Sequence, residues 1–252
     1  MSFASSAELM VQYVWSLQNY ATIVSEPIYL RLLCRSLAIA ALVTVLAILL
    51  AFPAAWIIAR TKPKYRNTLL ILLMIPWWSS YIVRAFAWYT MFGRSGLINR
   101  TVESAGVTSG PLDLFGFGLP AVILTELNLC LPLAVLPIYM VLERLDWNQI
   151  ACARSLGAGP WRVLRRIVLP LSAHGIIAAA IFVFMPVAGT FIVPQLVGGV
   201  DGTMIGAIIA SQFGAASNWA LGAALAITLL TSLAGVLALL LVLRNRAPGA
   251  HA

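Results

Sequence analysis

The chain has 252 residues, 62% of them hydrophobic and only 10% charged, and carries a formal net charge of +8. Its mean hydropathy is +0.96. Soluble domains run nearer half apolar and a quarter charged, so this composition excludes a water-soluble globular protein and specifies one whose surplus apolar surface faces lipid.

Residues 1–33 mix polar and charged residues with aromatics. They hold neither a span nor a secretory apolar core and are read as an external N-terminal segment. A span needs about twenty apolar residues, and five segments qualify, at about 36–59, 68–92, 119–142, 168–190 and 219–243. Residues 93–118 are Gly- and Ser-rich and form an external loop, with a short helix near Ile98–Ser104. Residues 191–218 are too polar to span and read as a loop, "VPQLVGG", followed by a short helix over about 203–214. Residues 34–246 thus make one transmembrane domain with a cytoplasmic loop at 143–167, and 247–252 form a tail. Pro53, Pro76, Pro132, Pro137 and Pro186 fall inside four of the five spans. The carbonyls they free in lipid need partners from neighbouring helices or water, and broken helices of this kind are common where transporters form substrate paths.

The charges set the orientation. Arg60, Lys62, Lys64 and Arg66 follow the first span. Arg144, Arg154, Arg162, Arg165 and Arg166 follow the third, and Arg244 and Arg246 follow the fifth, so eleven of the sixteen basic residues share one side. Five of the eight acidic residues lie on the other. Because cytoplasmic loops retain Lys and Arg, the N-terminus is placed outside and the C-terminus in the cytoplasm. The basic excess then reports topology, and no nucleic-acid partner is expected.

The sequence offers no chemistry of its own. It lacks the G-x-x-x-x-G-K-[ST] loop that cradles nucleotide phosphates, a nucleophile elbow, a zinc-binding His-Glu-x-x-His and clustered carboxylates. His174 and His251 are isolated. Cys34, Cys130 and Cys152 lack metal or disulfide spacing and read as small apolar fillers. No catalytic residue, metal or cofactor is expected, and any ATP chemistry belongs to a partner. Two charges do lie inside spans, Arg84 and Glu126. An ionisable residue there costs about 2.5–3.5 kcal/mol on insertion scales, so it faces a partner or a cavity. They are expected either to pair as a fixed interhelix link or to line a translocation path. Trp77, Trp78, Tyr81, Trp88 and Tyr89 crowd the same span. Trp88 and Tyr89 suit an interfacial belt, whereas Trp77 lies nearer mid-depth, where an aromatic face attracts a cation.

The segment "DWNQIACARSLGAGPWRVLRRIVLP" needs a different account. Asp146 is a helix-starting residue, and Ile150, Ala153 and Leu156 share one side of a short helix. Gly157 then supplies the left-handed residue that ends a helix. Pro160 takes the favoured first position of the next, along which Trp161, Leu164 and Val168 align. A helix, glycine turn and helix of this kind form a rigid docking knob, which a merely retained basic loop would not need.

Here the chain resembles a family. "ACARSLGAGPWRVLRRIVLP" is similar to the cytoplasmic EAA motif of ABC importer permeases, Glu-Ala-Ala, three residues, Gly, nine residues, Ile-x-Leu-Pro. Ala153, Gly157, Ile167, Leu169 and Pro170 fall on motif positions, whereas Ala151 replaces the glutamate and Cys152 the first alanine. "PWWSSYIVRAFAWYTMFGRSGLIN", "LPLAVLPIYMVLERLD", "FIVPQLVGG" and "QFGAASNWALGAALA" resemble the polyamine-type branch, over roughly residues 17 to 243. The resemblance implies an all-α membrane fold, a type I ABC importer permease-like bundle of about five transmembrane helices with a cytoplasmic coupling helix. It implies that Ala151, Cys152, Ala153, Leu156, Gly157, Pro160, Ile167, Leu169 and Pro170 contact or shape the seat for an ATPase subunit. It also implies two ATPase copies, a second and different permease chain, an external binding protein, and an inner-membrane location. The cargo implied is spermidine or putrescine, with iron(III), thiamine, an opine or an aminophosphonate as alternatives. Members of that branch commonly carry a further N-terminal span, which favours a start lying upstream over a five-span variant. The rival readings are an ion-coupled carrier or pore without an ATPase and, more remotely, a membrane enzyme.

Overall fold

A computed structural model describes residues 5–7, 10–12, 17–93, 96–104, 106 and 117–246. The expected tail at 247–252 and most of the second half of the external loop, 107–116, lie outside the described residues. A two-stranded antiparallel hairpin, β1 (Ser5–Ala7) and β2 (Met10–Gln12), precedes the helices. Helices follow at α1 (Gln18–Ser25), α2 (Pro27–Arg60), α3 (Pro63–Met74), α4 (Tyr81–Phe92), α5 (Leu97–Ser104) and α6 (Leu119–Glu143). Then come α7 (Trp147–Ser155), α8 (Pro160–Gly189), α9 (Ile192–Val197), α10 (Ile205–Phe213) and α11 (Trp219–Arg246).

Among the described residues, four helices are long and apolar enough to cross a membrane: α2, α6, α8 and α11 over Trp219–Leu239. The expected second span is not a single helix. α3 tightens into a 3-10 turn at Ile75–Trp78, and Ser80 takes an extended conformation, φ −57° and ψ 139°. The chain therefore continues as the separate helix α4. Pro76 removes a backbone donor inside this stretch, and a helix lacking that bond stops readily. Counted as one broken span, the pair makes five. Two further boundaries differ from expectation. α2 begins at Pro27, because Arg31 and Arg35, which break the apolar run, are tolerated near a helix end. The "VPQLVGG" loop is helical over Ile192–Val197. The short helices expected near 98–104 and 203–214 are present as α5 and α10.

α2 shows how such a helix packs in lipid. Ser36, Ala40, Ala47, Ala51 and Ala55 are fully buried, whereas Leu42, Val45, Leu49, Leu50 and Ile57 are exposed. Between lipid-facing helices there is no hydrophobic gain in burying large side chains. Small residues on the contact side let the backbones approach, and the large ones face the tails.

Contacts divide the chain into two compact units. The first comprises residues 1–43, 79–129 and 185–234, the second 44–78, 130–184 and 235–252. In the first, the Ser36 hydroxyl donates to the Leu32 carbonyl at 2.8 Å and accepts the Ile205 N–H at 2.8 Å. That N–H belongs to the first turn of α10, where the helix has no acceptor of its own. At Gly199, φ is +53°, and the turn it makes lets the Gly118 N–H reach the Val197 carbonyl at 2.8 Å. In the second unit, Gly175 of α8 lies against α6. A Cβ there would stand 2.8 Å from the Pro137 carbonyl oxygen and 3.0 Å from Val141 Cγ2. Gly175→Val is therefore expected to separate α6 from α8 and to cost about 1–3 kcal/mol, the usual range for overpacking. A lowered unfolding temperature of the purified protein in detergent checks this, and an unchanged one would refute the close approach.

Candidate functional site

The knob expected from the sequence is built as the turn chemistry specifies. Asp146 Oδ1 accepts the Asn148 N–H at 3.0 Å and caps α7. Gly157 sits at φ +81°, a conformation that costs a residue bearing a Cβ roughly 1–2 kcal/mol. Its N–H closes the turn on the Arg154 carbonyl at 2.9 Å. Pro160 opens α8 at the first helical position. Ile150, Val163 and Val168 are buried beneath, while Leu156 is 83% and Trp161 70% exposed. The tip thus presents two large apolar side chains to water, with exposed Ala151, Cys152 and Arg154 beside them and Ala153 half-buried.

Below the tip, α8 passes through a π-helical turn at Leu164–Val168, in which the Leu169 N–H reaches back five residues to the Leu164 carbonyl. The cause lies one residue further on. Pro170 has no N–H, and its ring clashes with the carbonyl four residues earlier in a regular helix. The wider turn moves that carbonyl away. Ser172, fully buried, then donates to the Val168 carbonyl at 2.5 Å. Ile167 is half-buried and Leu169 and Pro170 are exposed.

The base of the knob is tied by two arginines that sequence reading left as topology signals. The Arg60 guanidinium lies 5.8 Å from the ring centroid of Trp56 and 5.6 Å from that of Trp147. The two indoles meet edge-on at 5.2 Å. This three-membered cation–π cluster fixes the C-terminal end of α2 to the first residue of α7. Arg66 pairs with Glu143 at 2.6 Å and donates to the Ala59 carbonyl at 3.2 Å, joining α3, α6 and α2. The pair is partly solvated, so its worth lies in geometry more than in energy, for which about 0–1 kcal/mol is usual.

The first unit holds the buried polar cluster. Glu126 on α6 is 1% exposed. The Tyr81 hydroxyl donates to Glu126 Oε1 at 3.1 Å and lies 3.0 Å from Thr190 Oγ1. Tyr81, Arg84, Trp88 and Phe92 follow one another at three- and four-residue steps along α4 and so share a side of it. Trp88 Nε1 donates to Asn128 Oδ1 at 3.3 Å, two residues beyond Glu126. Tyr81 and Trp88 thus meet Glu126 and Asn128 along one α4–α6 seam, and Arg84 lies between them on the same side of α4. Trp77 belongs to the second unit, where it is 41% exposed in the 3-10 turn.

Residues 47–246 match the family described as binding-protein-dependent transport system inner membrane component. The chain belongs to this family. It is a membrane permease component of an ABC importer. It is 35% identical over 219 residues to the spermidine/putrescine transport system permease protein PotB of Escherichia coli strain K12, covering 87% of this chain and 79% of that one. It is 37% identical over 212 residues to the inner membrane ABC transporter permease protein YdcU of the same strain, 79% and 67% of the two chains. Its fold is shared with a bacterial ABC transporter involved in the import of the acidic polysaccharide alginate. The TM-score there is 0.77 at 14% identity, covering 94% of this chain and 86% of the other.

Several partners in this permease were beyond sequence reading. Thr190 and Asn128 looked like ordinary polar punctuation, and the long-range Arg66–Glu143 and Trp56–Trp147 contacts leave no local pattern. The four-residue spacing of Trp56 and Arg60 on one helix face was a usable signal. Tyr81→Phe removes the hydroxyl shared by Glu126 and Thr190. It is expected to destabilise the permease by about 1 kcal/mol, the scale of interhelical hydrogen bonds in membranes. Thermal unfolding in detergent checks this, and an unchanged midpoint would show the hydroxyl to be dispensable.

Proposed function

We propose that this permease forms the translocation path for a polyamine such as spermidine or putrescine and couples it to ATP hydrolysis by a separate ATPase subunit seated on the 146–166 knob. The knob carries the reading. Leu156 and Trp161 stand exposed on either side of the Gly157 turn, on a base clamped by Arg60 and Arg66. An apolar tip held that rigidly is suited to a protein groove. The full assembly then has two ATPase copies, a second permease chain and an external binding protein that delivers cargo. Orientation follows the basic residues, with the N-terminus outside and the knob in the cytoplasm. The path runs along Tyr81, Arg84, Trp88 and Glu126, with Trp77 contributing an aromatic face. Glu126 is the acidic group a cationic cargo requires, and the indoles supply faces for its ammonium groups. The permeases named for spermidine and putrescine, at about a third identity over most of the chain, support this cargo over iron(III), thiamine, an opine or an aminophosphonate. Ala151, standing where the motif has glutamate, removes one polar contact to the ATPase and leaves the apolar and glycine features.

The test is co-purification of the tagged permease with its ATPase, alongside spermidine uptake in cells. Wild type is expected to retain the ATPase. Gly157→Asp, which strains the left-handed turn and brings charge to the tip, is expected to lose it and at least tenfold of uptake. If no ATPase follows wild type when the second permease is present, and uptake persists without ATP, the ion-coupled carrier reading replaces this one. Uptake that is normal for a cargo other than polyamines leaves the coupling intact and moves only the substrate.

A further inference from the structure

Between the C-terminal end of α2 and the knob lies a groove of about 310 Å³. Its walls are Phe52 and Pro53 on one side and Leu164 and Val168 on the other, with Arg60 and Arg154 at its polar end. Arg60 lies against both Trp56 and Trp147, which holds its guanidinium in place without neutralising it. Neither arginine has a carboxylate partner among the described residues. The groove also lies where α2 and α8 reach the ends of their apolar runs, the depth at which headgroups meet acyl chains.

We infer that this groove is a binding site for an anionic phospholipid, the headgroup phosphate held by Arg60 and Arg154 and an acyl chain lying along Phe52, Pro53 and Leu164. An apolar trough closed by two unneutralised cations matches an anionic amphiphile. It does not match a zwitterionic lipid, which offsets its own charge. Guanidinium forks bind phosphate bidentately, and basic pockets between helices at a membrane surface take anionic headgroups. The site stands independently of the cargo, and it shares Arg154 with the flank of the knob tip. It would make the α2–α7 clamp sensitive to the lipid composition of the membrane.

The experiment places the full chain in phosphatidylcholine nanodiscs containing increasing fractions of phosphatidylglycerol with brominated acyl chains, and follows tryptophan fluorescence. Trp56 lines the groove and Trp147 lies against Arg60 at its wall, so bromine there quenches them. Brominated phosphatidylcholine at the same fractions is the reference. Wild type is expected to favour phosphatidylglycerol roughly thirtyfold, from about fivefold per surface-proximal arginine. Arg154→Gln, a change at an exposed position outside the stacking, is expected to lose most of that preference. Arg60→Gln with Arg154→Gln loses all of it, and Arg162→Gln, outside the groove, keeps it. Equal quenching by the two lipids, a preference surviving Arg154→Gln, or one abolished equally by Arg162→Gln overturns the proposal. Competition by millimolar inorganic phosphate would mean a free-anion site and also overturns it. So does loss of quenching on ATPase binding, which would assign the groove to that protein.

Discussion

Every backbone N–H and C=O of a lipid-embedded segment has to find a partner within the protein, because hydrocarbon offers none. This chain meets that constraint while carrying prolines inside three of its four long helices, and the ways it does so generate its functional features. Pro76 is followed by the Ser79–Ser80 break and a fresh helix. Pro170 is accommodated by the π turn and the Ser172 hydroxyl. The Pro137 carbonyl lies under Gly175, where α6 and α8 pack closest. The breaks at Pro76 and Pro170 adjoin the α4–α6 seam and the knob. The cost of the proline and the position of the site have the same origin.

The knob illustrates how turn chemistry becomes a mechanical part. A helix end at Gly157 and a restart at Pro160 set the backbone path, but backbone path alone leaves a loop free to swing. Stiffness comes from the aromatic and ionic ties at the base. Trp147, the first residue of α7, stacks on Arg60, and Arg66 binds both Glu143 and the end of α2. Force applied to the tip is therefore transmitted into α2, α3, α6 and α8 together, which a permease needs if a partner outside the membrane is to move helices within it.

Much of this was legible in the sequence, for definite reasons. Apolar length located α2, α6, α8 and α11, and Asp146, Gly157 and Pro160 announced the knob because each has a local conformational preference. The break at Ser79–Ser80 stayed hidden because the apolar run continues through it, and apolar length is blind to direction. The helix Ile192–Val197 is too short to show a period and contains Pro194. The polar cluster was half visible. Glu126 was conspicuous as a charge in a span, and Tyr81 as an aromatic near it. Thr190, the third member, lies 64 positions further along and owes its place to α4 packing on α9, which no local pattern records.

The π turn has one more consequence, and it concerns angular phase. A regular α-helix advances about 100° per residue. The extra residue accommodated between Leu164 and Val168 therefore offsets the side-chain positions before it from those after it by about that angle. Without the turn, the segment before it, Leu156 and Trp161 included, would be turned by about a quarter of a circle relative to the rest of α8. Pro170, which makes the wide turn necessary, thus acts nine residues away as the setting of a dial. It sets the direction in which the tip faces relative to the rest of α8 without touching any tip residue.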